Sequence, residues 1–302
     1  MSTEGATADV GRKVTVGELL EELARRLNAG GVAEPFTQAR EIVAALYDVP
    51  RYWPLTNGSV EVDQPTVQRA HDAVARRMKG APLAYAIGRS SFRHLTLDVD
   101  ERVLIPRPET ELLVDLVIGE MNGAEGGIAI DVGTGSGAIA LALATEGLFS
   151  RVYGTDISLG ALAVARHNAE ICAPLLRCPV ELLHGSLLGP LSDRRARVVV
   201  SNPPYIALGE ADALPASVRN WEPAVALYSG ADGMSATARL VRQAADVLAP
   251  GGLLALEVDV RRASLAAELV SSEQRFHAIR VELDLTGRER FVLARRKERD
   301  GE

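Results

Sequence analysis

Residues 128–142 read IAIDVGTGSGAIALA, an apolar strand-like run followed by a glycine loop and the start of a helix. The loop from Gly133 to Gly137 has the spacing GxGxG, which differs from the GxGxxG of dinucleotide folds and from the phosphate loop GxxxxGK(S/T), and no lysine follows it. Glycines permit a sharp turn and a close approach of a ligand to the backbone, and a helix N-terminus offers free N–H groups. The loop therefore suits a nucleoside ligand with a carboxylate better than a polyphosphate.

Strand-like and helical patterns alternate from this loop onward, which is typical of a parallel sheet covered by helices on both faces. The strand-like runs lie at 128–132, 151–156, 180–184, 197–202 and 253–258, and the helical segments lie around 138–146, 158–170 and 236–249. The last two apolar runs, HAIRVELDL (277–285) and RFVLAR (290–295), leave no room for a helix between them. The pattern predicts a Rossmann-like α/β sheet with an antiparallel edge hairpin.

Asp156 ends the strand-like run that follows the glycine loop. In a doubly wound sheet this position lies beside the loop, where the carboxylate can accept hydrogen bonds from both hydroxyls of a ribose. The alternatives are a tight connection for the glycines and a helix N-cap for Asp156, at the start of the segment that begins at Ser158. Because strand, loop, helix, strand and acid occur in the expected order, the sequence favours nucleoside binding.

The N-terminal part of the chain has helical patterns without candidate catalytic residues. Thr15 followed by Glu18 is a capping-box pattern, and Gly30-Gly31 is expected to end the first helix. The apolar stripes of three amphipathic helices are Val16, Leu19, Leu20, Leu23 and Leu27, then Phe36, Ala39, Ile42, Val43 and Leu46, then Val67, Ala70, Val74 and Met78. These stripes predict a small all-helical domain.

Five segments describe the expected domain organisation. We expect residues 1–13 to form a disordered tail and residues 14–82 to form the helical domain. We expect this domain to recognise the substrate. Residues 83–108 predict a hairpin linker, because apolar and polar residues alternate there. Residues 109–297 form the expected α/β domain, and 298–302 a short tail.

In its glycine loop and following acid, the chain resembles the class I S-adenosylmethionine-dependent methyltransferases. In that family the loop wraps the methionine part of the cofactor and the acid holds the ribose, so the resemblance implies S-adenosylmethionine as the cofactor. The cofactor contacts that it implies are Asp131, Gly133, Thr134, Gly135, Ser136, Gly137 and Asp156. Asp131 would contact either the loop or the amino group of the cofactor.

The stretch SNPPYI (201–206) follows the fourth strand-like run, at the sheet edge where ligands bind in such folds. A primary amide nitrogen is a poor nucleophile, and a site that accepts hydrogen bonds from both its N–H groups can aim it at the methyl donor. Asn202 offers a side-chain oxygen, and the prolines Pro203 and Pro204 hold a backbone carbonyl rigidly. Tyr205 offers a flat face. The alternative is a plain turn, but a turn does not require tyrosine.

The NPPY tetrapeptide is similar to that of methyltransferases acting on amino groups of adenine, guanine or cytosine, and on glutamine amides of proteins. The order of motifs along nearly the whole chain resembles the release factor glutamine methyltransferases, the HemK or PrmC family. These motifs are IPRPETE (105–111), DVGTGSGAIALALA (131–144), VSNPPYI (200–206), WEPAVALYSGADGM (221–234), PGGLLALEV (250–258) and GRERFV (287–292). The helical N-terminal domain matches in pattern rather than in residues.

The resemblance implies methylation at N5 of the glutamine in the Gly-Gly-Gln motif of class-1 peptide-chain release factors, which modulates translation termination. It implies Asn202, Pro203, Pro204 and Tyr205 as catalytic and substrate-binding residues, with Asn202 also beside the cofactor.

Three positions depart from the family pattern or have an open role. The family usually has Gly-Asp where this chain has Gly185-Ser186-Leu187, so the acceptor for the adenine amino group is weaker, although Leu187 can pack on the ring. After the fifth strand the chain has Glu257-Val258-Asp259 instead of the frequent Glu-Ile/His-Gly. In IPRPETE, Pro106 and Pro108 are expected to stiffen a linker, and Glu109 and Glu111 favour a helix N-terminus. Arg107 between the prolines could instead face the cleft, and the structural role is favoured.

Composition narrows the remaining alternatives. The 302 residues carry a formal net charge of −7 and two cysteines, Cys172 and Cys178, without metal-ligand spacing. We expect no metal, no direct nucleic-acid binding and no membrane span, and we expect a cytoplasmic monomer. One alternative is a DNA or RNA amino-methyltransferase with the same NPPY site, which would need a basic groove. The other is a non-catalytic cofactor-binding scaffold, which would predict a broken glycine loop or NPPY.

Overall fold

The computed structural model describes residues 13–121, 123 and 125–298. The chain divides into two compact units, Met1–Gly88 and Arg89–Glu302. The predicted tails lie outside the described residues, apart from Lys13 and Glu298. Each of the described helices is too short or too polar to cross a bilayer.

The first unit consists mainly of helices. Its elements are β1 (Val14–Thr15), α1 (Val16–Ala29), α2 (Pro35–Tyr47), α3 (Trp53–Thr56), β2 (Glu61–Val62), α4 (Gln64–Met78) and α5 (Leu83–Ile87). Thr15 caps α1: its hydroxyl accepts a hydrogen bond from the N–H of Glu18, whose carboxylate accepts one from the N–H of Thr15. The predicted capping box is therefore confirmed. The antiparallel pairing of β1 with β2 was not predicted.

The core of this unit lies between α1, α2 and α4, where the predicted apolar stripes meet. Leu23, Ile42 and Val74 are completely buried. Two predicted stripe residues are exposed, Phe36 by 46% and Met78 by 43%. Phe36 lies in the first turn of α2 and Met78 at the end of α4, so these helix ends extend beyond the core that covers the middle of each stripe.

The boundary of the first unit falls later than the predicted residue 82. The short helix α5 packs on the helical core through Leu83 and Ile87, and Gly88 ends it with a φ of +85°. This left-handed conformation favours glycine. Because of this packing the first unit runs to Gly88, and the hairpin that was expected as part of a linker belongs to the second unit.

The second unit contains a seven-stranded sheet with helices on both faces. Its elements are β3 (Arg89–Phe92), β4 (Leu95–Asp98), α6 (Pro108–Met121), β5 (Ile128–Val132), α7 (Ala138–Glu146), β6 (Arg151–Asp156), α8 (Leu159–Cys172), β7 (Val180–His184), β8 (Ala196–Ser201), α9 (Ala216–Arg219), α10 (Ala224–Leu227), α11 (Ser235–Val247), β9 (Leu248–Glu257), α12 (Ala263–Ser272), β10 (Phe276–Leu283) and β11 (Glu289–Arg296). Strands β3 and β4 form a separate antiparallel hairpin.

The strand order in the sheet is β10-β11-β9-β8-β5-β6-β7. Strands β5 to β9 are parallel, whereas β11 pairs antiparallel with both β9 and β10. The predicted Rossmann-like sheet with an antiparallel edge hairpin is confirmed.

Alternating strand residues face two hydrophobic cores, one on each side of the sheet. On β5, Ala129 packs with α6 and α7 in one core, while Ile130 packs with α11 in the other. Val198 and Val199 on β8 divide in the same way. Both faces of the central strands are thus buried, which explains why their sequences are continuous apolar runs.

The carboxyl ends of β5 and β8 meet at the centre of the sheet, because β5 pairs with β6 on one side and β8 on the other. The Ser201 hydroxyl donates a hydrogen bond of 2.6 Å to the backbone oxygen of Val132, which joins the two strand ends. The glycine loop follows one strand and the NPPY tetrapeptide follows the other. The fold therefore brings the two motifs together at a topological switch point.

Candidate active site

The glycine loop adopts a conformation that requires its glycines. Gly133, Gly135 and Gly137 have φ values of +74°, +56° and +86°. The backbone N–H groups of Gly133 and Thr134 donate hydrogen bonds to the backbone oxygen of Thr155, which ties the loop to the end of β6. Apart from the glycine and its two neighbours in sequence, no atom of the described residues lies closer than 4.0 Å to the point where a side chain would begin at Gly133 or Gly135. The loop therefore leaves a cradle that a ligand can fill.

Asp156 lies beside this loop and lines the same cavity. Its Oδ2 accepts a hydrogen bond of 3.0 Å from the N–H of Gly135, and its Oδ1 accepts one of 2.8 Å from the N–H of Ser158. The N-cap of α8 is Ser158 and not Asp156, because the Ser158 hydroxyl accepts a hydrogen bond from the N–H of Ala161. The carboxylate is thus fixed at the cavity, and lone pairs remain for ligand hydroxyls.

Asp131 lies beneath the loop and is completely buried. Its Oδ2 accepts hydrogen bonds from the hydroxyl of Thr134 (2.6 Å) and the N–H of Ala140 (3.1 Å). Its Oδ1 is buried without a partner among the described residues. Burial, with a smaller contribution from the charge of Asp156, raises the pKa of Asp131 to about 7. Asp131 was expected to contact either the loop or the amino group of the cofactor, and the structure contains the contact to the loop.

The other expected cofactor contacts divide into cavity residues and supporting residues. The cavity, of about 330 Å³, is lined by Gly133, Gly135, Asp156, Ser186, Leu187 and Asn202 among others. Asp131, Thr134, Ser136 and Gly137 are absent from this lining, and Thr134 and Ser136 are buried. Thr134 and Ser136 support the loop: the Thr134 hydroxyl donates a hydrogen bond to Asp131, and the backbone carbonyl of Ser136 accepts one from the side-chain amide of buried Asn168.

The departure at Ser186 coincides with an arginine. The Arg239 guanidinium lies 3.4 Å from the Ser186 hydroxyl, and both residues line the cavity. Leu187 lies next to them with a φ of +51°, a strained value for a side chain with a Cβ. The motifs do not single out Arg239, which is one of two arginines in the helical segment that forms α11.

A second cavity, of about 310 Å³, adjoins the first. The two cavities share Leu104, Asn202 and Ala226 in their linings, so the NPPY asparagine lies where they meet. Pro204 lines the first cavity and Tyr205 the second. Burial, with the charge of Glu257, raises the pKa of Tyr205 to about 12, so its hydroxyl is neutral.

The orientation of the Asn202 amide is set by a buried hydrogen-bond chain. Asn202 Nδ2 donates to the hydroxyl of Thr110 at 3.1 Å, and that hydroxyl donates to Glu257 Oε2 at 2.6 Å. Asn202 Oδ1 accepts no hydrogen bond from the described residues, so it is available to a substrate donor. Thr110 and Glu257 were not predicted as site residues, although Thr110 lies in IPRPETE and Glu257 in PGGLLALEV.

Arg107 connects two motifs and also faces the second cavity. Its guanidinium donates a hydrogen bond of 2.5 Å to Glu222, whose side chain is 1% exposed. Burial raises the pKa of Glu222, against the opposing effect of Arg107. Arg107 lines the second cavity, as the cleft-facing alternative expected, while its ion pair, which was not predicted, joins IPRPETE to WEPAVALYSGADGM.

The departure at Asp259 affects the rim of the second cavity. Asp259 accepts hydrogen bonds from the N–H and the Nε of Arg261, and both residues line the cavity. Burial opposes the ionisation of Asp259, but the hydrogen bonds from Arg261 outweigh it and lower the pKa. Arg261 also pairs with Glu210 at 3.0 Å. The rim thus presents a guanidinium held by two carboxylates.

Comparison with known proteins agrees with the two motifs and the two units. Residues 18–88 match the family described as "PrmC N-terminal domain", and residues 109–216 match "Methyltransferase small domain". The catalytic domain of hMettl16, solved with MAT2A 3'UTR hairpin 1, shares 17% identity and a TM-score of 0.53 over 81% of this chain and 85% of that one, which shows the fold alone. The fold and the site define the chain as a Rossmann-like methyltransferase that uses S-adenosylmethionine.

The sequence relatives specify the family. The release factor glutamine methyltransferase of Moorella thermoacetica is 39% identical over 94% of this chain and 100% of its own length. That of Deinococcus radiodurans is 39% identical over 92% and 98%, and that of Streptomyces coelicolor is 36% identical over 92% and 98%. The chain belongs to the family of release factor glutamine methyltransferases, which confirms the resemblance seen in its motifs.

Proposed function

We propose that this protein transfers a methyl group from S-adenosylmethionine to N5 of the glutamine in the Gly-Gly-Gln motif of class-1 peptide-chain release factors. One observation carries the proposal: two adjoining cavities meet at Asn202, whose Nδ2 is held by Thr110 and whose Oδ1 is left for a substrate. The names of the curated relatives supply the release factor as the acceptor.

The first cavity is the cofactor site in this proposal. The open cradle at Gly133 and Gly135 would receive the methionine part, and the Asp156 carboxylate would accept the ribose hydroxyls. Oδ1 of buried Asp131 has no hydrogen-bond partner among the described residues, and its carboxylate would stabilise a cationic amino group brought near it. When bound, the cofactor supplies an electrophilic methyl group on a sulfonium.

The second cavity is the acceptor site. Asn202 Oδ1 would accept one hydrogen bond from the glutamine NH2, and Tyr205 would cover the planar amide. Pro203 lines neither cavity, and its backbone carbonyl, next to Asn202, would accept the second hydrogen bond. Holding the nitrogen in this geometry supplies about 7 kcal/mol or more of the barrier by orientation. The methylated nitrogen loses its proton readily, so the site needs no dedicated base.

The first unit would recognise the folded release factor. It contains a complete helical core and no candidate catalytic residue, and its match to the PrmC N-terminal domain covers residues 18–88. We place the reaction in the cytoplasm, with the enzyme acting as a monomer.

An assay with labelled S-adenosylmethionine distinguishes this proposal from nucleic-acid methylation. The purified enzyme is incubated separately with a release factor, with that factor carrying Gln→Asn in Gly-Gly-Gln, and with DNA and RNA. We expect label only in the unaltered release factor. A chain with net charge −7 lacks the excess of basic residues that non-specific nucleic-acid binding needs. Label in DNA or RNA, and none in the release factor, would contradict the proposal.

A further inference from the structure

Three residues from distant parts of the second unit form a chain of hydrogen bonds that ends in the acceptor site. Asn202 follows β8, Thr110 lies in the first turn of α6, and Glu257 ends β9. The donor–acceptor distances are 3.1 Å from Asn202 Nδ2 to Thr110 Oγ1 and 2.6 Å from Thr110 Oγ1 to Glu257 Oε2. Thr110 is 5% exposed and Glu257 is 1% exposed, so water does not replace either partner.

The direction of this chain depends on the single hydroxyl proton of Thr110. While Glu257 is ionised it can only accept, so Thr110 donates to it and must itself accept from Asn202. A flipped Asn202 amide would then place its oxygen against the Thr110 oxygen with no proton between them. Protonated Glu257 can instead donate to Thr110, which frees the Thr110 proton for Asn202 Oδ1 and makes both amide orientations possible.

We propose that Glu257, acting through Thr110, is a positioning residue that holds Asn202 with its carbonyl oxygen toward the acceptor amide, and that it does so only as a carboxylate. The inference rests on the proposed function, because the acceptor is the glutamine amide assigned there. Neither Glu257 nor Thr110 lines either cavity, so both act through Asn202 and do not touch the substrate.

The surroundings of Glu257 place its ionisation near neutral pH. Burial raises its pKa to about 7, with Glu109 adding to the rise, while Thr110, Arg290 and Arg107 oppose it. Tyr205, whose own pKa is raised, is neutral and leaves this balance unchanged at that pH. The kcat for methyl transfer should therefore rise with pH through about 7, since only the carboxylate fixes the Asn202 orientation.

Folding stability should change in the opposite direction. Glu257 binds its proton more tightly in the folded protein than in the unfolded chain. Its protonation therefore stabilises the fold at pH values below the unfolded pKa, and this contribution is lost as pH rises through about 7. A purely structural role for Glu257 would leave the kcat of the folded enzyme independent of the ionisation of Glu257. A positioning role makes activity rise while stability falls, so the two profiles separate the roles.

Thr110→Val and Thr110→Ser form a matched pair of variants. Valine keeps the shape of the side chain and removes the hydroxyl, whereas serine keeps the hydroxyl. We expect Thr110→Val to lower kcat about 10- to 100-fold, as displaced reacting groups do, and to lose the acid limb of the pH profile. The KM for S-adenosylmethionine should change little. Thr110→Ser should restore most of the kcat together with the acid limb.

Glu257→Gln tests the charge directly. Glutamine can accept a hydrogen bond from Thr110 or donate one to it, so we expect a reduced kcat without the acid limb. Asp131, with a pKa of about 7, still titrates in this variant, so loss of the acid limb would assign that limb to Glu257. Retention of the wild-type pH profile in both Glu257→Gln and Thr110→Val would overturn the positioning role. A wild-type enzyme that methylates no release factor would overturn the proposed function instead.

Nuclear magnetic resonance can follow the Asn202–Thr110–Glu257 hydrogen bonds without any turnover. The side-chain NH2 of Asn202 is labelled with 15N-asparagine, and its signal is assigned by its loss in Asn202→Asp. We expect this signal to titrate with a midpoint near pH 7 in the wild type and in Thr110→Ser, and not in Thr110→Val. A signal that is independent of pH in the wild type, or that titrates unchanged in Thr110→Val, would overturn the inference whether or not the enzyme is active.

Discussion

Replacing Asp156 with alanine should weaken S-adenosylmethionine binding while leaving the fold intact. The carboxylate is half-buried at the cavity, where it would accept the ribose hydroxyls and already accepts the N–H of Gly135 at 3.0 Å. Hydrogen bonds to a charged group contribute about 1.5–3 kcal/mol each when buried, and partial exposure reduces this. We expect a loss of about 1–3 kcal/mol, which is about 5- to 150-fold in Kd.

Isothermal titration calorimetry with S-adenosylmethionine measures this loss. Asp156→Asn retains one acceptor oxygen without the charge, so its Kd should lie between the wild type and Asp156→Ala. Asp193→Ala is the matched control, since Asp193 is 77% exposed, lines neither cavity and should leave the Kd unchanged. A folded Asp156→Ala variant with the wild-type affinity would show that Asp156 does not hold the ribose.

Four further predictions follow from the same contacts. Asn202→Ala should lower kcat about 10²–10³-fold with much less effect on cofactor affinity, because it removes one of two preorganised acceptors. Tyr205→Ala should mainly raise the KM for the release factor. Steady-state kinetics measure both, and a normal kcat in Asn202→Ala would contradict the prediction. Removing residues 1–88 should preserve calorimetric cofactor binding but abolish efficient methylation of the intact release factor, and full activity of the truncated enzyme would refute it. Asn168→Ala should destabilise the protein by about 2 kcal/mol in urea unfolding and weaken cofactor binding, because Asn168 bonds the Ser136 carbonyl of the loop and the backbone of Asp98; an unchanged midpoint would contradict this. Because the pKa of buried Asp131 is raised to about 7, its contribution to stability is lost as pH rises through that value, so Asp131→Asn should flatten the fall of Tm with pH; the same slope in both proteins would contradict this.

The sequence predicts the features of the site that depend on one motif in one element. The GxGxG spacing predicts the loop, and alternation of strand and helix predicts that the loop and NPPY meet at one sheet edge. The end of β6 at Asp156 and the capping box at Thr15 follow from local patterns in the same way. Each of these depends on residues a few positions apart, where local chemistry determines the backbone.

The features that the sequence does not predict depend on contacts between remote positions. Thr110 and Glu257 are 147 residues apart, and Arg107 and Glu222 are 115 apart, so neither partner identifies the other without the fold. The exposure of Phe36 has a similar origin, because a periodic stripe does not show how far the covering helix extends. Burial by residues from distant parts of the sequence also raises the pKa of Glu257, whereas the motif alone suggests a carboxylate with an ordinary pKa.

Tandem mass spectrometry of a release factor after incubation with the enzyme and S-adenosylmethionine tests the central claim most directly. The peptide that contains Gly-Gly-Gln is compared before and after the reaction, with the Asn202→Ala variant as the control for contaminating activity. We expect a mass gain of one methyl group, with fragment ions that place it on the glutamine side chain, and little gain with Asn202→Ala. A methyl group on any other residue, or an unmodified glutamine after complete turnover of the cofactor, would contradict the account.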